Sequence, residues 1–187
     1  MKIAIIIGST RDSRITARLA NWVAVQAVPQ HTDVQFEVLD IKSYDIPFLN
    51  EDPWNPQRHL SDGTAAWLSA LAGADGYIVV TAEHNHGIPA PLKNALDFTN
   101  GEMNRKPALI VSHGSVSGAR STEQLRLVLN SAIGVVPVPQ SVTFYGNVQQ
   151  VISDDGVVDE SAVINNDKLS RAINELVWYT GALTAAK

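Results

Sequence analysis

The sequence contains no cysteine, so disulfide bonds, thiol redox chemistry and thiolate metal sites are excluded from this chain. Charged residues are also sparse, at 18%, with a formal net charge of -5 and no cluster of basic residues. This balance argues against nucleic acid as the main partner. The apolar run Ile3–Ile7 is too short to span a membrane, and we expect a cytoplasmic protein without membrane association.

The chain has 187 residues, 45% of them hydrophobic, which suits a single domain over 1–187. Apolar periodicity predicts strands at 3–7, 34–39, 76–81, 107–112 and 135–144. It predicts helices near 15–23, 60–72, 90–98, 121–133 and 162–183, with loops at 40–56 and 149–159. This alternation predicts an α/β fold with a doubly wound parallel sheet. Pro137 and Pro139 place the fifth strand at an edge.

Ligands of open α/β sheets bind beyond the carboxyl ends of the strands. The loop after the first strand, Gly8–Thr16, opens a helix, so its free N–H groups and the helix dipole favour an anion. Its hydroxyls and two arginines suit a phosphate. Helix capping alone is the alternative, but capping does not require arginine. The candidate phosphate-binding residues are Ser9, Thr10, Arg11, Ser13, Arg14, Ile15 and Thr16.

The loop after the third strand is polar and is followed by Pro89 and Pro91. A rigid loop that exposes backbone groups suits the edge of a flat heterocycle, although it could simply cap the next helix. Metal binding by its histidines with His113 is disfavoured, because no carboxylate stands at a matching spacing, and we predict no metal. The candidate residues are Glu83, His84, Asn85, His86 and Gly87.

The loop after the fourth strand is rich in small residues, which let a flat ligand approach the backbone closely. The run Gly114–Gly118 differs from a nucleophile elbow because its centre is Val116 rather than serine. A serine–His113 dyad has no evident orienting third group, so hydrolysis is disfavoured. The candidate ligand-binding residues are Ser112, His113, Gly114 and Ser115.

Three motifs in these loops resemble those of the NADPH-dependent FMN reductase family, which includes soluble quinone, chromate and azo-dye reductases. They cover roughly the first 130 residues. Two positions depart from the family pattern: Ala82 replaces a proline and His84 replaces a tyrosine, which is expected to alter the flavin's potential or acceptor preference. The matching segments are Gly8-Ser9-Thr10-Arg11, Glu83 and Asn85, Pro89, Leu92–Asp97, Ser112–Gly118, Arg120 and Gln124-Leu125-Arg126.

The resemblance implies a flavodoxin-like sheet of order 2-1-3-4-5 that binds FMN. The first loop would hold the phosphate, and the loops from Glu83 and Ser112 would border the ring. Electrons would pass from NADPH or NADH to a small acceptor: a quinone, free flavin, azo or nitro compound, or metal oxyanion. No catalytic side chain is implied, since the flavin itself carries the hydride. A homodimer or homotetramer is implied, with the helix after Pro91 as a candidate interface.

Two other functions are compatible with the same loops. One is a flavodoxin-type electron carrier that serves protein partners, and the other is a module that holds a flavin or nucleotide without turnover. A carrier is disfavoured because its phosphate loop lacks this arginine and its surface is usually more acidic than -5 in a chain of this length.

Overall fold

The computed structural model of the protein describes residues 1–145, 148–158 and 164–186. The strands are β1 (Lys2–Ile7), β2 (Gln35–Asp40), β3 (Gly76–Ala82), β4 (Pro107–Gly114) and β5 (Val136–Tyr145). The helices are α1 (Thr16–Gln30), α2 (Asp62–Ala72), α3 (Ala90–Asp97), α4 (Ala119–Leu127) and α5 (Ile164–Ala185). None of the described helices is long and apolar enough to cross a membrane.

The five strands form one parallel sheet in the order β2-β1-β3-β4-β5, which confirms the expected flavodoxin-like topology. Ile7 pairs with Val80 between β1 and β3, and Ala82 pairs with His113 between β3 and β4. The carboxyl ends of β1, β3 and β4 therefore meet at the middle of one edge of the sheet. The direction of winding reverses there, between β1 and β3.

Two apolar layers cover the sheet because its β-branched strands are buried on both faces. Ile3 and Ile5 face α1 and α5, where Trp22 and Leu176 are buried. Ile6 faces the opposite layer, which is built from α2, α3 and α4 and contains, among others, Trp67, Leu92 and Leu125. The central strands thus form a rigid platform beneath the loops at their carboxyl ends.

β5 forms one edge of the sheet, as its two prolines predict. Pro137 and Pro139 have no N–H to donate to a ladder, and the pairing with β4 shifts between Ala108–Pro137 and Ile110–Ser141. The irregularity lies at the start of β5. Regular pairing resumes toward the carboxyl end, next to the candidate site.

The structure differs from the sequence prediction in three segments: the loop after β2, the helix predicted at 121–133 and the segment 149–159. The loop after β2 begins with a 3-10 turn, Ile41–Tyr44, because the Asp40 carboxylate accepts a hydrogen bond from the Lys42 N–H (3.1 Å). The helix predicted at 121–133 is present, but it starts at Ala119, and after Leu127 its α-helical turns widen into a π turn, Val128–Ala132. Apolar spacing does not distinguish these two helical geometries.

The segment 149–159, predicted as a loop, contains more local structure than expected. A 3-10 turn covers Val148–Gln150, and Ile152 and Val158 form an antiparallel bridge. Residue 159 and the predicted helix start at 162–163 lie outside the described residues.

Candidate functional site

The loop between β1 and α1 presents a row of free backbone donors. The Gly8 N–H donates to the Val80 carbonyl (2.9 Å), which ends the strand pairing. The N–H groups of residues 9–13 donate to no described residue. Ile15 caps α1 without any side-chain hydrogen bond, so the hydroxyls of this loop are not used for capping. The capping alternative therefore does not explain them.

Two hydroxyl residues of this loop are buried. Ser9 is 2% exposed and Thr16 is fully buried. The Thr16 Oγ1 atom has no hydrogen-bond partner within the described part of the chain. A buried hydroxyl without a partner is costly, so an acceptor from a ligand would stabilise this site. The loop thus fits a phosphate group, whose oxygens accept hydrogen bonds.

The arginines of the loop differ in their surroundings. Arg11 is exposed, whereas the Arg14 side chain is only 15% exposed. Arg14 forms an ion pair with Asp40 at the end of β2 and donates from Nη1 to the Arg11 carbonyl (3.3 Å). A second ion pair joins the same two segments, between Asp12 and the Lys42 Nζ atom (2.5 Å). The Lys42 ammonium lowers the pKa of the Asp12 carboxyl.

Sequence reasoning did not assign the end of β2 to the site. Asp40 pairs with Ile7 in the sheet register, immediately before the loop begins. The predicted strand order already places β2 beside β1. The charged residue Asp40 at the end of β2 could therefore have indicated from the sequence that this strand end borders the loop. Asp40 and Lys42 therefore belong to the surroundings of the phosphate loop.

The loop after β3 is a tight two-residue turn. The His84 N–H donates to the Gly87 carbonyl (2.9 Å), and the Gly87 N–H donates to the His84 carbonyl (3.0 Å). The central residues Asn85 and His86 have φ angles of 49° and 69°, as a type I′ turn requires. Both central side chains are exposed at the tip of the turn.

Glu83 connects this turn to α4 through hydrogen bonds with Arg120. Its carboxylate accepts from the Arg120 N–H (3.1 Å) and from the Arg120 Nη1 atom (2.9 Å), and its side chain is only 5% exposed. Its own N–H donates to the His113 carbonyl (2.9 Å). Gln124 accepts from the Ile88 N–H (2.6 Å). The Glu83 carboxylate is thus engaged within the protein. Arg120 and Gln124 of α4 position the loop after β3, a role that the sequence motif alone did not reveal.

Hydrogen bonds of the Ser112 hydroxyl stabilise the loop after β4. The Ser112 hydroxyl donates to the Ser117 carbonyl (3.3 Å) and accepts from the Thr122 hydroxyl (2.8 Å). A side chain at Gly118 would meet Ser112 Oγ at 2.7 Å, so glycine permits this approach. Ser112 is fully buried, whereas Ser115 is exposed. The buried hydroxyl is therefore a structural anchor of the loop.

Three basic side chains from the three loops lie within electrostatic reach of one another. Burial, with a smaller contribution from His84, lowers the pKa of His113 to about 4. Burial also lowers the pKa of His84, with a second contribution from Arg11. Both imidazoles are therefore neutral at pH 7. The His113 Nε2 atom is buried and has no hydrogen-bond partner among the described residues.

Two cavities flank the phosphate loop. One, of about 320 Å³, is lined by Thr10, Lys42, Phe48 and Pro91, among others. The other, of about 510 Å³, is lined by Ser13, Arg18 and Gln149, among others. Across the described ranges, no group of three or more histidine, aspartate or glutamate side chains could hold a metal ion.

The geometry brings most of the predicted residues to one edge of the sheet. Ser9–Arg14 form the candidate anion loop, His84–Gly87 form the turn beside it, and His113–Ser115 lie at the carboxyl end of the neighbouring strand. An anion loop next to two loops at a topological switch point is the arrangement of a flavodoxin-like flavin-binding protein. The free N–H groups and the unpartnered Thr16 hydroxyl fit its phosphate.

Comparison with known proteins identifies the family. The model of the NADPH-dependent FMN reductase family matches residues 1–149, and the chain belongs to this family. It is 37% identical over 131 residues to an NAD(P)H-dependent FMN reductase of Schizosaccharomyces pombe, covering 68% of this chain but 64% of that relative. It is 31% identical over 172 residues to an NAD(P)H-dependent FMN reductase of a Nectria species, covering 86% and 85%.

Two further comparisons agree. The chain is 30% identical over 140 residues to a quinone reductase of Escherichia coli K12, covering 69% of each protein. The structure of the NAD(P)H:acceptor oxidoreductase FerB from Paracoccus denitrificans superposes with a TM-score of 0.71 over 95% of this chain and 96% of that one, at 22% identity, which supports the fold. The chain is thus an FMN-dependent NAD(P)H oxidoreductase, as the motifs predict.

Proposed function

We propose that this protein reduces a small acceptor, foremost a quinone, with electrons from NADPH or NADH. When bound, FMN supplies the chemistry: it accepts a hydride from the reduced nicotinamide and passes electrons to the acceptor. The observation that carries the proposal is the anion loop, in which the N–H groups of residues 9–13 have no partner among the described residues and point to a phosphate. It adjoins the loops that would border the flavin ring.

The first loop would hold the phosphate through several kinds of donor. The free N–H groups, with the hydroxyls of Ser9, Thr10 and Ser13, would surround its oxygens. Arg11 and Arg14 would supply positive charge, and charge-assisted hydrogen bonds are about twice as strong as neutral ones. The Thr16 hydroxyl would gain the partner it lacks. Ile15 would contribute its backbone at the start of α1.

The other two loops would orient the flavin ring. The type I′ turn presents Asn85 and His86, with Gly87 completing it, while Glu83 and Arg120 hold its base in place. Gly114 and Ser115 would border the ring on the other side, on the loop anchored by Ser112. The neutral His84 and His113 add no positive charge at pH 7. No side chain is required to take or give the hydride, so we assign no catalytic residue.

Similarity to named relatives supports a quinone as the acceptor. A quinone reductase of Escherichia coli and a 2-hydroxy-1,4-benzoquinone reductase of a Burkholderia species are each 30% identical to this chain, over 140 and 133 residues. Free flavins, azo or nitro compounds and metal oxyanions remain further candidate acceptors. The neutral imidazole of His84 stands in place of the family tyrosine, within electrostatic reach of Arg11, and is expected to influence which acceptor is preferred.

We also propose a cytoplasmic homodimer or homotetramer. The aromatic residues Phe48 (82% exposed) and Trp54 (76% exposed) lie on the loop after β2. Phe48 is the one next to α3, since it lies between the two residues that Asn94 contacts. Asn94 of α3 ties this loop down, since its Nδ2 donates to the Pro47 carbonyl (2.8 Å) and its Oδ1 accepts from the Leu49 N–H (2.9 Å). An apolar surface held in place in this way supports a subunit contact. Sedimentation analysis of the purified protein would test it.

A visible spectrum tests the function first. The protein is incubated with FMN, freed of unbound ligand, and measured before and after anaerobic addition of NADPH. We expect a retained flavin spectrum that bleaches directly to the two-electron-reduced state, followed by reoxidation with a quinone. Retained flavin that ignores the nicotinamide, or that stops at a one-electron state, would favour an electron carrier or a non-catalytic module. Absence of retained flavin would refute the proposal.

A further inference from the structure

Arg14 is the only arginine of the phosphate loop whose side chain is largely withdrawn from water. It is 15% exposed, and its partner Asp40 is 23% exposed. Two of its five N–H donors are engaged, one by the Asp40 carboxylate and one by the Arg11 carbonyl. The Nε atom is buried and has no partner among the residues described. The guanidinium is therefore held at the loop with donors to spare.

Asp40 is fixed by contacts that do not depend on Arg14. It is the last residue of β2, in register with Ile7, and its Oδ1 atom accepts from the Lys42 N–H (3.1 Å). Its other oxygen, Oδ2, is the one that contacts Arg14. One carboxylate thus caps the 3-10 turn and holds the guanidinium, and it connects a rigid strand end to the loop.

We infer that Asp40 is a positioning residue for FMN: its carboxylate orients Arg14 so that the remaining guanidinium donors meet the phosphate. This inference rests on the proposed function. A flexible arginine must be ordered when it binds an anion, which costs side-chain entropy. Because the Asp40 carboxylate orders Arg14 from within the protein, that cost is removed from the binding step.

The sign of the expected effect separates positioning from simple electrostatics. A carboxylate near a phosphate dianion repels it, so removal of the charge alone would raise FMN affinity. Positioning predicts the opposite result, because a released guanidinium would no longer be ordered at the loop. Asp154 offers the matched case, since its carboxylate also pairs with an arginine, Arg18 of α1 (2.6 Å), but its side chain is 86% exposed and it lies outside the loop.

The experiment compares dissociation constants of FMN, measured by quenching of flavin fluorescence, for the wild type, Asp40→Asn and Asp154→Asn. Asparagine keeps an oxygen that accepts from the Lys42 N–H, so the turn retains its cap. We expect Asp40→Asn to weaken FMN binding by about tenfold, which corresponds to about 1.4 kcal/mol. Asp154→Asn should leave the affinity unchanged or raise it.

Two further measurements exclude a merely structural effect. Riboflavin lacks the phosphate, so its affinity should not change in Asp40→Asn; an equal loss for both ligands would mean general damage to the site and would overturn the inference. In an Arg14→Gln background, Asp40→Asn should no longer weaken FMN binding. Continued weakening there would show that Asp40 does not act through Arg14.

The outcomes also separate this inference from the function on which it rests. If the wild type fails to bind FMN, the proposed function falls and the inference falls with it. If the wild type binds FMN and Asp40→Asn binds it equally well or more tightly, the inference alone is overturned, and the ion pair restrains Arg14 instead of presenting it.

Discussion

Glu83 and Arg120 join the loop after β3 to the first turn of α4 through two hydrogen bonds, one from the Arg120 N–H (3.1 Å) and one from its Nη1 atom (2.9 Å). The carboxylate is only 5% exposed, while the arginine side chain is 44% exposed. The acidic residue of the sequence motif therefore connects two loops of the candidate flavin site, and its charge is engaged by Arg120.

Replacement of Glu83 by glutamine should loosen this connection. We expect Glu83→Gln to lower the free energy of unfolding by about 1–2 kcal/mol, because a hydrogen bond to a charged group is lost and a nearly buried position is left partly satisfied. Urea denaturation measures the change. Glu123→Gln is the control: its carboxylate is 76% exposed and 3.8 Å from Arg126, so an effect near zero is expected. Equal effects of the two variants would contradict the fastening role.

The sheet topology was predictable from the sequence, whereas several side-chain roles were not. Continuous β-branched runs such as Ile3–Ile7 indicate buried parallel strands, and Pro137 marks an edge, because these signals are local. The contact between Arg14 and Asp40 joins residues 26 positions apart. Such pairing depends on how the end of β2 is placed beside β1, which no local pattern contains.

The sequence also did not predict which polar side chains at the end of β4 find hydrogen-bond partners. Ser112 and His113 are neighbours at the end of β4, and both were expected to border the ring. Only the folded structure shows that the Ser112 hydroxyl is engaged with Thr122, while the His113 Nε2 atom has no partner among the described residues. The alternation of side chains along a strand sends neighbours to opposite faces, and the packing on each face decides their surroundings.

The depressed pKa of His113 predicts a loss of stability in mild acid. Burial, followed by the charge of His84, lowers this pKa from 6.5 to about 4. Between those values the unfolded chain binds a proton that the folded protein does not, so the free energy of unfolding falls as the pH falls from 6.5 to 4. The full loss from this group is roughly 3 kcal/mol. Denaturation at several pH values measures it.

Two variants isolate the contribution of this imidazole. His113→Asn removes the titrating group and should flatten the pH dependence of stability between pH 4 and 6.5. His59→Gln, at an exposed position on the loop after β2, should keep the wild-type slope. An unchanged slope in His113→Asn would assign the acid sensitivity to other groups.

Arg11 offers a test of the phosphate loop that is free of stability effects. Its side chain is exposed and forms no hydrogen bond within the described ranges, so Arg11→Ala should leave the free energy of unfolding unchanged. FMN affinity should fall, because a charge-assisted contact to phosphate contributes about 1.5–3 kcal/mol. Calorimetric titration with FMN measures the loss. Arg171→Ala, which removes an exposed arginine from α5, should bind FMN as the wild type does, and an unchanged affinity in Arg11→Ala would remove Arg11 from the site.

The type I′ turn of the flavin loop contains a conformational cost that a single substitution should relieve. His86 is exposed and adopts a φ of 69°, a left-handed conformation that costs a residue with a side chain about 1–2 kcal/mol. Glycine avoids this cost but loses about 0.4–1 kcal/mol through the greater freedom of the unfolded chain. We therefore expect His86→Gly to raise the free energy of unfolding by about 0.5–1 kcal/mol, as measured by thermal denaturation.

Asn85→Gly is the matched control in the same turn, at a φ of 49°. Asparagine tolerates the left-handed conformation because its side chain can hydrogen-bond locally, so the gain there should be smaller. FMN titration of His86→Gly then separates two reasons for retaining the strained residue. If the turn contributes only backbone groups to the flavin, the stabilised variant keeps its affinity. If affinity falls while stability rises, the imidazole of His86 itself contacts the ligand, and the strain is the cost of presenting it.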